Sequence, residues 1–329
     1  MSDPIISPDG KFMWTGAEWI PAPPTSAQGA HSNINLEDSM MSGDVNIEQG
    51  STNASSAINL KDSAMSGDIN LTQNSASDII AGIDHLLKGL GFDSKSSPAE
   101  LTPNQEAEVE QVLEMSEQLA SHGIEIDPWT EITLGSAAEL AGRTHSAQQH
   151  YLRALETFRK NGDRQGESAS LVNLGNIAET RGDLAEAERL QRESLAIKRD
   201  IGARRGEAAS LAQLGSIAKD RDDLDEAGRL YRESVVISRE IGYRLQTAIP
   251  LNNLANIAQT RGDLDEAELL YRESLVLMIE IADRKGEATL LGNLGTIAKA
   301  RGALDEAERL HRESLAIKRE IGIPIDEEE

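Results

Sequence analysis

The residues of this chain that could do chemistry are few, and most of them recur at a fixed spacing. His31, His85, His122, His145, His150 and His311 are scattered, and no nucleophile–base pair presents itself among them. His145 and His150 stand five apart, which does not put both on one helix face as a metal pair needs. There is no cysteine, so neither disulfides nor thiol chemistry can operate. No glycine-rich phosphate loop occurs, because Gly175 and Gly215 lie inside helical patterns. The acid pairs Asp225-Glu226 and Asp265-Glu266 recur too regularly for an active site and read as first-turn acids favoured by the helix dipole. What remains is a row of carboxamides and hydroxyls: Asn173 and Asn176, Gln213 and Ser216, then Asn252, Asn253 and Asn256, then Asn293 and Thr296. A carboxamide both donates and accepts, which suits the pair of groups that an extended peptide backbone offers at every residue. The expected chemistry is recognition: no catalytic residue, no cofactor and no metal.

The elements that must position this row are written four times. Leu171–Gly202, Leu211–Gly242, Leu251–Ala282 and Leu291–Gly322 align at a constant offset of 40 residues. Such a period indicates a stacked array, each unit burying its apolar face on its neighbours. Within a unit, Leu171, Leu174, Ile177 and Ala178 form the apolar stripe of one helix. Gly182 is placed to cap it, and Asp183 with Glu186 reads as a capping box opening a second. That helix buries Leu184, Ala187, Leu190, Leu195 and Ile197 and closes at Gly202. Gly175, Ala178, Ala187 and Ser194 stand where two helices must approach closely. The array also reaches backward: Gly135, Ala147, Leu155 and Gly162 precede Gly175, Ala187, Leu195 and Gly202 by the same 40 residues. Asp127–Gln165 is therefore a divergent first repeat, and the helix before it, Pro103–His122, is expected to cap the array. Thr102, Pro103 and Gln105 supply its N-cap, N1 proline and capping box.

The pattern L-x-x-L-G-x-x-A, followed by A-x-x-x-Y and small-residue packing, resembles the tetratricopeptide repeat. The 40-residue period is similar to that of kinesin light chains and bacterial peptide-sensing regulators. The family's tryptophan is replaced by Leu171, and its proline near the end of the second helix is absent. The resemblance implies a mostly α fold: a right-handed solenoid of five helical hairpins, here preceded by small β-rich repeats and connecting helices. It further implies that the first helices line a concave groove in which side chains hold a partner peptide. The matching positions are those of the carboxamide row, making Asn173, Asn176, Gln213, Ser216, Asn252, Asn253, Asn256, Asn293 and Thr296 the candidate groove residues. Beside them, Glu179, Lys219, Gln259 and Lys299 give mixed charge.

Lys and Arg total 32 against 56 Asp and Glu, a formal net charge of −24 in 329 residues. That excess argues against binding a nucleic-acid backbone and favours a basic protein or peptide partner. No apolar run approaches the ~18 residues of a membrane span and no leader pattern is evident, so the chain reads as cytoplasmic.

Ahead of the array, residues 1–24 form a small tryptophan-containing β module. Its Asp9-Gly10, Trp14, Gly16, Trp19 and Pro21 resemble a short D-G-x-x-x-W-x-G-x-x-W-x-P segment of many microbial proteins. Residues 25–33 are a linker. Residues 34–74 contain two strand–turn–strand units, Ile34–Gln49 and Ile58–Gln73, whose acids Asp38, Asp44, Asp62 and Asp68 are turn residues rather than metal ligands. Residues 77–91 hold an amphipathic helix over Asp78–Leu90, with Ile79, Ile83, Leu86 and Leu90 on one face. Residues 92–101 are a second linker, 102–123 the capping helix, 127–323 the five-repeat solenoid and 324–329 an acidic tail. In the third of the four clear repeats, Pro250 replaces the residue found at Ser170, Ser210 and Leu290, so its helix should start late, near Ile249, or kink.

The leading functional reading is a non-enzymatic scaffold binding a protein or peptide partner. A second is a self-assembling structural protein that forms homo-oligomers through residues 34–91 and displays the solenoid. A third is the regulatory arm of a signalling system.

Overall fold

The computed structural model describes residues 5–6, 12–14, 19–21, 73–92, 98 and 100–323. The tandem units expected over 34–74 and the tail at 324–329 lie outside the described residues, except Gln73 and Asn74, which open a helix. Most of the proposed oligomerisation segment lies outside them too. Three short strands, β1 (Ile5–Ile6), β2 (Phe12–Trp14) and β3 (Trp19–Pro21), pair antiparallel in that order, with Trp14 opposite Trp19. The chain divides into two compact units, Met1–Leu90 with Glu110–Glu125 and Gly91–Val109 with Ile126–Glu329.

In the first unit, α1 spans Gln73–Gly89, beginning four residues before the expected 77. Its buried line runs through Ile79, Ile83, Leu87 and Leu90, while Leu86 is only half-buried. The helix α2 (Pro103–Ser121), whose residues up to Val109 are assigned to the second unit, starts as its cap predicts: the Gln105 side chain accepts from Thr102 N–H at 3.0 Å, and Thr102 Oγ1 accepts from Gln105 N–H at 3.4 Å.

The second unit contains ten helices in five hairpins: α3 (Pro128–Leu140) with α4 (Thr144–Asn161), α5 (Arg164–Thr180) with α6 (Leu184–Asp200), α7 (Arg204–Asp220) with α8 (Leu224–Glu240), α9 (Arg244–Thr260) with α10 (Leu264–Glu280), and α11 (Arg284–Ala300) with α12 (Leu304–Glu320). Each second helix also packs on the first helix of the next hairpin. Burial runs continuously across hairpin boundaries: Leu195 of α6 shares a cluster with Leu211, Leu230 and Leu254. A solenoid follows, because no hairpin can cover its own apolar face.

Helix ends are set by a 20-residue rhythm. Gly142, Gly162, Gly182, Gly202, Gly242, Gly262, Gly302 and Gly322 all adopt positive φ just past a helix. At Gly182 the motif closes with Asp183 N–H donating to Ala178 C=O at 2.9 Å. Asp183 then accepts from Glu186 N–H at 3.1 Å, opening α6 as its sequence indicates. Two of the left-handed positions are not glycine: Asp222 at φ 63° and Ala282 at φ 57°.

The helix containing Pro250 does not start late. It begins at Arg244, in register with Arg164, Arg204 and Arg284, and runs unbroken to Thr260. Proline removes only the N–H that would bond Gln246. Burial of Thr247, Ala248, Pro250 and Leu251 on neighbouring helices holds the turn.

Candidate functional site

Four first helices, α5, α7, α9 and α11, repeat one division of labour. Leu171, Leu174, Gly175, Ile177 and Ala178 are buried, and the residues between them are not. The candidate row falls into that gap: Asn173, Gln213, Ser216, Asn252, Asn253, Asn256 and Asn293 are half-buried, while Asn176 and Thr296 are exposed. The apolar period of each helix thus leaves one polar strip open, in the same place in every repeat.

The positions following the glycine slot are largely occupied within the fold. Ser216 Oγ lies 3.0 Å from Tyr231 Oη, and Tyr271 Oη donates to Asn256 Oδ1 at 2.5 Å, with Gln259 Oε1 2.8 Å away. Asn176 Oδ1 accepts from Gln191 Nε2 at 3.3 Å, and Thr296 Oγ1 donates to its own helix at Gly292 C=O, 3.1 Å. Tyr231 and Tyr271 are fully buried, and burial pushes the Tyr271 phenol up to about 12. Each fastens the second helix to the first through its hydroxyl. Asn176, Ser216 and Asn256 therefore tie hairpins together.

The other positions differ. Asn293 Nδ2 donates to Asn252 Oδ1 at 3.3 Å across a repeat boundary, and Gln213 Nε2 donates to Glu179 Oε2 at 2.5 Å across another. Asn173 and Asn253 make no side-chain hydrogen bond to other described residues. The strip thus carries a line of amide groups along the stacking direction, two of them unengaged.

One polar cluster was not anticipated. Glu131 on α3 and His150 on α4, both buried, meet at 2.6 Å between Oε2 and Nδ1, and Arg153 Nε reaches Glu131 Oε1 at 3.0 Å. These residues stand 40 before Leu171 and Leu190, so the first repeat replaces a leucine pair with an ion cluster. The register marks both positions. Among the described residues, no group of three or more His, Asp or Glu is arranged to hold a metal. No helix among them is long and apolar enough to cross a membrane.

A model of the MalT-like TPR region matches residues 105–280, and a tetratricopeptide-repeat model matches residues 288–321. Among solved structures, the chain is similar to BtubC (BKLC) from P. vanneervenii at 20% identity, covering 68% of this chain and 93% of that one with a TM-score of 0.56. It is similar to the apo form of RapI at 11% identity, covering 77% and 68% with a TM-score of 0.62. Aspartyl phosphate phosphatase F from Bacillus subtilis is 10% identical, with coverage of 78% and 77% and a TM-score of 0.55. At these identities the likeness shows the fold alone. No curated protein sequence matches the chain.

Proposed function

Since the chain belongs to the tetratricopeptide-repeat family, in its MalT-like form, we propose that it is a non-enzymatic scaffold that holds an extended peptide of a partner protein on the open strip of α5, α7, α9 and α11. The observation that carries this reading is the pair Asn173 and Asn253: half-buried carboxamides in equivalent positions that no other described residue engages. A half-buried amide left without a protein partner is a group that a ligand backbone can satisfy in both directions. Asn252 and Asn293, joined across the repeat boundary, extend the line, and Gln213 continues it. Glu179, Lys219, Gln259 and Lys299 border the strip and set which peptide side chains are accepted. Asn176, Ser216 and Asn256 support it from within by fixing the second helices.

The test is a random-peptide array probed with the full chain and with its Asn253→Ala variant. Loss of the amide strands donors and acceptors of a bound backbone, which costs on the order of 1–3 kcal/mol. Peptides captured by the parent should therefore bind the variant about fivefold or more weakly, with melting unchanged. Undiminished capture sinks the reading. A lowered melting point with normal capture makes Asn253 a structural residue.

A further inference from the structure

The outer face of α10 breaks a rule that the neighbouring second helices keep. On α6, Arg189 holds Glu186 at 2.7 Å and Glu193 at 3.2 Å, and on α8, Arg229 holds Glu226 at 2.7 Å and Glu233 at 3.5 Å. On α12, Arg309 holds Glu313 at 3.2 Å. On α10 the same slot is Leu269, 64% exposed. Ten residues further along, Arg159, Arg199 and Arg239 each reach a glutamate of the next second helix: Glu193, Glu233 and Glu273. On α10 that slot is Ile279, 53% exposed. Val276, 55% exposed, stands between the two. Two guanidinium positions have become aliphatic, and with Val276 they put three exposed aliphatic side chains on one side of the helix, with Arg272 and Glu273 between Leu269 and Val276.

The carboxylates that those arginines would hold remain. Glu266, the counterpart of Glu186 and Glu226, has no ion pair among the described residues, and Glu313 has Arg309 but no cation from α10. Isolated exposed aliphatic residues are ordinary, whereas three on one side of a helix, beside the unpaired Glu266 and a Glu313 short of its second cation, mark an interaction surface. We infer that the outer face of α10 docks an amphipathic helix of a partner protein, its leucine-like side chains on Leu269, Val276 and Ile279 and its lysines or arginines on Glu266 and Glu313. The protein's own repeats supply the template, because they show a cation at each of those carboxylates. A second copy of this chain fits the site poorly, since its formal net charge is −24. This surface lies on the second helices and is separate from the amide strip of the first helices.

The test uses the full chain and a fluorescein-labelled helical peptide of about 18 residues, five turns, with leucines at every third and fourth position and lysines elsewhere. The parent should bind it saturably. The variant L269R/I279R installs the residues of the other repeats, so it should melt like the parent and bind about tenfold or more weakly. Val276→Ser should weaken binding in the same direction, and Asn253→Ala should leave it unchanged. A peptide with glutamates for the lysines should bind about tenfold or more weakly. The proposal is overturned if the parent does not bind or if L269R/I279R binds like the parent. It is equally overturned if the glutamate peptide binds as well, or if Asn253→Ala alone abolishes binding. Light scattering showing a dimeric parent and a monomeric L269R/I279R would make the occupant a second copy, which also overturns it.

Discussion

Lys198 on α6 donates to Ser210 Oγ on α7 at 2.7 Å, from a slot that Phe158 and Met278 fill in other repeats. No carboxylate among the described residues pairs with it. Burial lowers its ammonium from the ordinary 10.5 to about 8. A lysine with a depressed folded pKa is penalised while charged, so the cost is fully present below about pH 8 and is relieved as pH rises toward 10.5. Lys198→Met should therefore stabilise the protein at pH 7, on the order of 2 kcal/mol after allowing for partial exposure. The gain over the parent should shrink between pH 8 and 10. Comparing the two chains cancels the tyrosine titrations. Urea unfolding at pH 7 and pH 10 checks this, and a pH-independent difference would contradict it.

Asp222 and Ala282 occupy left-handed positions that glycine holds at the other loop ends of the array. For Ala282 the Cβ crowds the following carbonyl, at a cost of about 1–2 kcal/mol. Ala282→Gly should raise stability by about 1 kcal/mol, net of the extra freedom it gives the unfolded chain. Asp222→Gly should gain less, because aspartate tolerates this conformation better. Thermal unfolding of both single variants would show the order, and a destabilised Ala282→Gly would refute the strain assignment.

Close approach of the two helices in a hairpin is graded by what faces the small residue. A Cβ on Gly215 would sit 2.7 Å from Tyr231 Cε1, whereas on Gly175 it would sit 3.1 Å from Gln191 Nε2. Both side chains are buried, but the Gln191 amide starts 3.1 Å away and need give only a few tenths of an ångström, whereas the tyrosine ring would overlap the new Cβ. Gly215→Ala should cost about 1–3 kcal/mol by overpacking, and Gly175→Ala clearly less. The site that already has Ala255 against Tyr271 shows that the backbone can accommodate a Cβ there. Equal losses in the two variants would mean that overlap with the ring does not decide the cost.

Much of this was legible in the sequence because a repeat tests itself. The 40-residue register identified the hairpins, the divergent copy at Asp127–Gln165 and the slots of the amide row. Caps at Thr102 and Asp183 were readable because their partners lie within three residues. Pro250 misled because its missing hydrogen bond is a local fact, while the helix is held by burial on its neighbours. The division of the candidate row was also hidden. Asn256 and Asn253 are alike in type and helix, but a tyrosine fifteen residues away engages only the first. The Glu131–His150 pair was visible as two polar residues in leucine slots, and its compensation became clear only when Arg153 was placed beside it.

Gln246 replaces the glycine of the other repeats, and the same slot logic gives the reason. A Cβ on Gly166 would stand 2.3 Å from Phe158, and one on Gly286 would stand 2.7 Å from Met278 Sδ. Each glycine therefore makes room for the large side chain eight residues earlier. Eight residues before Gln246 is Ser238, fully buried, its hydroxyl without a hydrogen-bond partner among the described residues. Large and small have changed places in this repeat, so the volumes are conserved while each residue alone looks anomalous. Ser238→Met alone should overpack against Gln246 and lose about 1–3 kcal/mol. Gln246→Gly alone should also destabilise, by about 1 kcal/mol from helix propensity together with the void it opens. The double variant S238M/Q246G recreates the Met278–Gly286 arrangement and should be more stable than the sum of the single losses. The expected coupling is about 1–2 kcal/mol, and it would be favourable. Urea unfolding of the four chains in the cycle measures it, and strict additivity would mean that the two residues do not share the slot.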